Sequence, residues 1–266
     1  MNLLASLMFF TRLPWWRLFT VPTEAFEHVV DWWPLMGWLT GGVMGGVYIG
    51  ALFLGFPPAM AALLAIAARL LLTGALHEDG LADFCDGFGG GTSRERTLSI
   101  MKDSHIGTYG VLGLFICLGL LWASMESLPN LPQGENLLAV ASLILLFDVA
   151  AKCAASLITG QLPYARTAES AKNQVVYAGR SLCSWLWHCL RCVLALSLPL
   201  ALCCYFGCPQ VVFLLPVPFV VEYLLMCWMR RRIGGYTGDC CGALFLLCEL
   251  SLYLGSFLLR INVLTY

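Results

Sequence analysis

Residues 77–91 read His-Glu-Asp-Gly-Leu-Ala-Asp-Phe-Cys-Asp-Gly-Phe-Gly-Gly-Gly, and three acids in that run, Asp79, Asp83 and Asp86, are spaced i, i+4, i+7. On a helix such spacing puts three carboxylates on one face, within an arc of about 60°. Like charges that close repel and raise one another's pKa values. A divalent cation removes the conflict, and an all-oxygen ligand set suits Mg²⁺. The plainer alternative is an acidic loop facing water, but Leu81, Ala82, Phe84 and Cys85 alternate with the acids, and a solvated loop has no need of an apolar face. Gly87, Gly89, Gly90 and Gly91 follow, where backbone amides could approach a phosphate closely.

Two further segments carry the same kind of residue. Residues 101–110 contain Lys102, which could neutralise a phosphate, and Asp103, which could ligate a metal or orient Lys102; an ordinary interfacial Lys–Asp pair is the alternative. Residues 234–242 form a second glycine-rich turn with Thr237 and Asp239 ahead of an apolar run. A helix N-terminus there favours anions, and Asp239 alternatively serves as its N-cap. Within the apolar run, Glu249 is expected to face a polar cavity or to be protonated. Asp148 and Lys152, four residues apart, read as an internal ion pair that lowers the cost of insertion. His28 and His188 carry no catalytic signal, and the tryptophans at 15, 16, 32, 33 and 38 fit an interfacial belt.

The elements that must position these groups are membrane helices. The chain is 59% hydrophobic and only 12% charged, which a soluble domain of 266 residues cannot sustain. Its net charge of −1 gives no field for nucleic acid. The expected fold is all-α, a polytopic integral membrane protein with about seven transmembrane helices (range six to eight) in a single domain over 1–266. The candidate spans are Pro34–Gly55, Pro58–Leu76, Gly110–Ser124, Leu137–Ile158, Cys183–Tyr205, Val211–Met229 and Ala243–Leu259. The stretch from Met1 to Pro14 has neither a basic start nor a small-residue cleavage site, and reads as a short interfacial or partly inserted helix.

Basic residues alternate between the loops. Arg12 and Arg17 precede the first span; Arg94, Arg96 and Lys102 follow the second; Arg166, Lys172 and Arg180 follow the fourth; Arg230, Arg231 and Arg232 follow the sixth. By the positive-inside rule the N-terminus and the polar segments 77–109, 160–182 and 230–242 are cytoplasmic, and the chemistry belongs there. At full cost, three aspartates at the bilayer centre would require roughly 8–10 kcal/mol, so the acidic run is expected at the cytoplasmic end of the second span, in a polar cavity. The thirteen cysteines lie mostly in apolar runs and read as small hydrophobes; Cys189 and Cys192 have CxxC spacing but apolar neighbours, a poor zinc or redox site. So many thiols favour a reducing compartment.

The run from His77 to Gly91, followed by Ile100-Met101-Lys102-Asp103-Ser104 and Ile106-Gly107, resembles the signature of the cobalamin synthase family, also called adenosylcobinamide-GDP ribazoletransferases. Phe10-Thr11-Arg12-Leu13-Pro14, Trp33-Pro34-Leu35-Met36-Gly37, Pro163-Tyr164-Ala165-Arg166 and 234–239 resemble further motifs of that family, in order along nearly the whole chain. Glu78, Cys240, Cys241 and the residues after Arg166 depart from its pattern, which bears on fine substrate contacts more than on the reaction.

The resemblance implies that a ribose hydroxyl of α-ribazole or its 5′-phosphate attacks a phosphorus of adenosylcobinamide-GDP, releasing GMP, in the last steps of cobalamin biosynthesis. It implies a bacterial inner membrane, Mg²⁺ as cofactor, small-molecule substrates and no nucleic acid; a homo-oligomer, or a complex with other corrinoid-assembly enzymes, is left open. On this reading Asp79, Asp83 and Asp86 hold the metal, and Asp83, Asp86 or His77 takes the hydroxyl proton. Arg94, Lys102, Asp103, Arg166, Thr237 and Asp239 contact substrate. The competing readings are a membrane phosphotransferase of CDP-alcohol type, a prenyltransferase, or a transporter. The Ala-Arg element of the first is missing from its place, and a transporter's repeat and midplane acids are not visible.

Overall fold

The structure is a computed structural model describing residues 1–128, 135–166 and 181–258. It is all-helical: α1 (Asn2–Phe10), α2 (Trp33–Phe53), α3 (Pro58–Thr73), α4 (Leu76–Gly90), α5 (Arg94–Ile100), α6 (Thr108–Glu126), α7 (Glu135–Ser156), α8 (Ile158–Gln161), α9 (Leu182–Tyr205), α10 (Val217–Ile233) and α11 (Gly238–Leu258). Six helical stretches are long and apolar enough to cross a bilayer, or seven if the bent pair α3–α4 counts as one broken span. The chain is therefore a multi-pass membrane protein, and all seven expected spans coincide with helices. Lys172, Arg180, Leu259 and Arg260 lie outside the described residues. At nine residues, about 14 Å by the helical rise, α1 is too short to span and packs instead along the 3₁₀ segment Thr23–Trp32 that leads into α2.

The most buried spans are α7 and α11, and the others wrap around them. Close approach of α2 to α7 follows from Gly37, Gly41 and Gly45, one turn apart: a Cβ at any of them would strike Val149, Leu145, Asp148 or Ala141. At this seam Thr40 accepts a hydrogen bond from Lys152 Nζ at 2.9 Å and donates to the Asp148 carboxylate at 3.0 Å, while Lys152 pairs directly with Asp148. The internal ion pair expected from the i, i+4 spacing is present.

Glu249 does not stand alone: Arg69 Nη1 of α3 reaches both its oxygens at 2.6 Å, and Arg69 Nη2 lies 3.7 Å from Glu78 of α4. Arg69 and Glu249 are fully buried, so each needs an opposite charge to be tolerable there.

The decisive break comes after α3. Gly74 (φ +67°) and then Ala75 (φ +56°) both adopt left-handed backbone, which ends the helix at Thr73 and turns the chain by 91° into α4. Its 16 residues give α3 a length of about 24 Å, less than a bilayer core. The acid-bearing helix α4 therefore runs across the bundle rather than along it, over the N-terminal turns of α11 and then α6.

Candidate active site

The three polar segments meet at one end of the bundle. Residues 164 and 236 form an isolated parallel β-bridge, in which Ala165 N donates to Tyr236 O (2.8 Å) and Tyr236 N to Pro163 O (3.1 Å). Arg94 ties the first segment to the other two, its Nε donating to Ile233 O at 2.8 Å and its Nη2 to Ala165 O at 3.1 Å. Arg232 donates to Gly91 O, and Arg166 Nη2 to Leu98 O at 3.0 Å. Segments distant in sequence are thus stitched into one wall.

The cavity on that wall exists because α4 and α11 cross at van der Waals contact. A Cβ on Gly80 would lie 2.9 Å from Asp239 O, and one on Gly242 would lie 2.9 Å from His77 O. Two glycines therefore bring the backbones of Asp79 and Asp239 together. The resulting cavity, about 140 Å³, has the polar residues Asp79, Arg166 and Asp239 and the aromatic residues Phe10, Trp33 and His77 in its lining. Arg166 Nη1 stands 3.8 Å from Asp239 Oδ2. Tyr164 also lines the cavity. Burial pushes its phenol up to about 12, so it stays protonated at any physiological pH.

The three aspartates of α4 do lie on one helical face, but the structure does not gather them around a common point. Asp79 is exposed toward the cavity and Asp83 is half-buried one turn on. Asp86 is buried and turned to α6, where its carboxylate accepts from Gly107 N (2.7 Å) and Gly110 N (2.8 Å). Among the described residues no three His, Cys, Asp or Glu side chains form a metal-holding cluster. The first free amides of α6 hold the third carboxylate, because a helix N-terminus carries partial positive charge and unpaired N–H donors.

Other expected residues divide similarly. Arg166 and Asp239 line the cavity, whereas Arg94 is spent on backbone carbonyls. Thr237 is fully buried, and its hydroxyl accepts from Cys240 N at 3.4 Å; it, rather than Asp239, caps α11. Lys102 is exposed on the loop between α5 and α6. Asp103 does not orient it but accepts from His105 N at 3.0 Å and pairs with the His105 ring, which holds the Asp103 carboxyl below its usual range. Three of the four glycines expected near phosphate also permit close packing: Gly87 meets Met101, Gly89 meets Tyr109, and Gly91 meets Thr97.

His77 is 2% exposed, with its ring in an aromatic stack rather than near Asp83 or Asp86. Phe10, Trp33 and Tyr164 are lining residues that sequence reasoning did not place in the site, and Trp33 is buried rather than in an interfacial belt. Each lies in a motif noted in the sequence, but nothing local to 10, 33 or 164 says that they meet.

Comparison with known proteins gives a consistent picture. The profile described as cobalamin-5-phosphate synthase matches residues 2–257. An adenosylcobinamide-GDP ribazoletransferase of Leptothrix cholodnii is 38% identical over 255 residues, covering 94% of this chain and 92% of the relative. Proteins of the same name from Vibrio parahaemolyticus (35% identical, 94% and 89% covered) and Shewanella amazonensis (36%, 96% and 94%) are similar throughout. No solved structure matches the chain.

Proposed function

The chain belongs to the cobalamin-5-phosphate synthase family, and on that premise we propose that it transfers the adenosylcobinamide-phosphate moiety of adenosylcobinamide-GDP to α-ribazole or α-ribazole 5′-phosphate, releasing GMP. The observation that carries the reading is a cavity in which Asp79, Asp239 and Arg166, from three separate segments, stand together. Phosphoryl transfer asks a protein mainly for positioning and charge neutralisation, and this set supplies both. The acceptor hydroxyl forms the new P–O bond, the bridging P–O bond breaks with its electron pair on GMP, and the hydroxyl proton passes to a carboxylate. Asp79, exposed on the cavity wall, is the candidate acceptor of that proton. Arg166 neutralises phosphate oxygens, and Lys102 at the exposed rim draws in the diphosphate.

Mg²⁺ fits this donor set without a three-carboxylate cage, since it commonly takes one or two carboxylates and completes its shell with substrate phosphates and water. Asp79 and Asp239 would hold it, with Asp83 one turn along the same face, and it would neutralise charge developing on the leaving phosphate. The basic residues gathered at this end, including Arg12, Arg17, Arg94, Arg96 and the run Arg230, Arg231 and Arg232, support a cytoplasmic site and a cytoplasmic N-terminus in the bacterial inner membrane.

The test is turnover by the purified protein in liposomes given adenosylcobinamide-GDP, α-ribazole 5′-phosphate and Mg²⁺, with GMP and the joined corrinoid read by mass spectrometry. Product is expected from the wild type and should vanish with EDTA, in Asp79→Asn and in Asp239→Asn. Absence of product from a folded wild-type sample overturns the reaction; undiminished product in EDTA overturns the metal.

A further inference from the structure

Of the described residues lining the cavity, few can give a hydrogen bond to an anion. Asp79 and Asp239 only accept when ionised, and the ring nitrogens of Trp33 and His77 have no accessible surface. Cys241 offers only a weak S–H donor. Arg166 is shared: its Nη2 donates to Leu98 O at 3.0 Å, and its Nη1 stands 3.8 Å from Asp239 Oδ2. The other strong donor in the lining is the phenol of Tyr164, which is half-buried. A phenol keeps its proton at neutral pH, so it can donate there but not serve as a base.

The Tyr164 hydroxyl sits among the polar groups of the lining. Its oxygen accepts from the backbone N–H of Gly238, the first residue of α11, and the charges of Asp239 and Arg166 act on it. Gly238, Asp239 and Arg166 line the same cavity. The Tyr164 ring packs edge-on against Tyr236, with 5.3 Å between centroids at 89°. The backbone on both sides is fixed: Pro163 O accepts from Tyr236 N, Ala165 N donates to Tyr236 O, and Ala165 O accepts from Arg94 Nη2. Gly235 makes this approach possible, since a Cβ there would lie 2.4 Å from Pro163 O. Packing against Tyr236 would need only a phenylalanine, so it does not account for a hydroxyl placed among charged groups. A donor held this firmly is aimed before the substrate arrives, and preorganised donors are the ones that stabilise developing charge best.

We propose that Tyr164 is a further catalytic residue of the transfer: its O–H donates to a non-bridging oxygen of the phosphoryl group as that group passes to the acceptor, beside Arg166. The proposal rests on the reaction proposed above. Charge spreads over the equatorial oxygens of the phosphoryl group in the transition state, and Arg166, with Nη2 committed to Leu98 O, leaves part of it for a second donor. Tyr164 keeps its own proton throughout. The proton of the attacking hydroxyl still goes to a carboxylate, and the electron pair of the broken P–O bond still leaves with GMP.

The test measures kcat and KM in proteoliposomes for the wild type, for Tyr164→Phe, and for protein carrying 4-aminophenylalanine at position 164, with thermal unfolding of each in detergent. Tyr164→Phe keeps the ring against Tyr236 and removes the O–H. Loss of one such donor is expected to lower kcat about 100-fold, with KM for α-ribazole 5′-phosphate unchanged. 4-Aminophenylalanine puts an N–H donor in the same place and should recover most of kcat, a repair that a merely structural role would not show. Should Tyr164→Phe not fold, O-methyltyrosine takes its place, since it keeps an oxygen for Gly238 N–H and lacks the hydrogen; it should be slow where 4-aminophenylalanine is fast, and equal kcat in the two overturns the role. Undiminished kcat in Tyr164→Phe, or a loss that 4-aminophenylalanine does not repair, overturns the role and leaves the reaction standing, because the wild type in the same preparation still releases GMP. A folded wild type that makes no product overturns the reaction and this role with it.

Discussion

Gly80→Ala adds one methyl group at the crossing of α4 and α11, where the backbone itself is the neighbour. The new Cβ would lie 2.9 Å from Asp239 O and 3.1 Å from Asp239 Cα. Unstrained contacts fall near 3.5–4.0 Å, so the helices must part by about 0.5–1 Å. No rotamer change can absorb this, because main chain meets main chain. Overpacking of this kind costs about 1–3 kcal/mol of stability. The larger consequence is positional, since Asp79 and Asp239 adjoin the crossing and move apart with it. A misplacement of about 1 Å costs on the order of 100-fold in rate. The assay is kcat/KM for α-ribazole 5′-phosphate in proteoliposomes, beside thermal unfolding of the same sample in detergent. Gly46→Ala on α2 is the control, since a Cβ there meets nothing within 4 Å. Gly80→Ala should lose about 100-fold in kcat/KM while remaining folded at the assay temperature, and Gly46→Ala should match wild type. Wild-type kcat/KM in Gly80→Ala would refute the claim that this crossing sets the site.

Three further outcomes are expected. Arg69→Met or Glu249→Leu alone should cost about 3–5 kcal/mol by leaving a buried charge unpaired, whereas the triple variant Arg69→Met, Glu249→Leu and Glu78→Gln, which also neutralises the second acid beside Arg69, should recover most of the loss in thermal unfolding; a triple variant no more stable than either single one argues against the pair. Ala75→Gly should be neutral or stabilise by about 1 kcal/mol because left-handed backbone suits glycine, and Ala75→Val should lower stability and activity together; a melting temperature unmoved by Ala75→Val would contradict that strain. Asp86→Asn should loosen the start of α6, seen as faster hydrogen exchange at Gly107 and Gly110, with turnover reduced in proportion to stability; abolished turnover with unchanged exchange would instead place Asp86 among the reacting groups.

Much of the architecture was legible in the residues themselves. Apolar runs of bilayer length reveal their helices because lipid leaves no other way to satisfy the backbone. The lone Lys152 in such a run, one turn from Asp148, could be read as a pair because both partners share one helix. The alternation of basic loops likewise places 77–109, 160–182 and 230–242 at one end, where the described parts of these segments do meet.

What escaped the sequence is everything that depends on a partner from elsewhere in the chain. Helical spacing put Asp79, Asp83 and Asp86 on one face, but whether they act together depends on what faces them, and the amides of α6 claim Asp86. Glu249 looked solitary because Arg69 lies 180 residues away. Trp33 looked like an interfacial anchor because only the 91° turn at Gly74 and Ala75 lays α4 across the bundle and sets His77 beside it. Sequence therefore determined the helices and the gathering of the three polar segments at one end, since each follows from local hydropathy and charge. The membership of the site was decided by tertiary structure, since a buried polar group takes the partner that folding brings within hydrogen-bond reach, and that distance is not written in the spacing of residues along one strand of sequence.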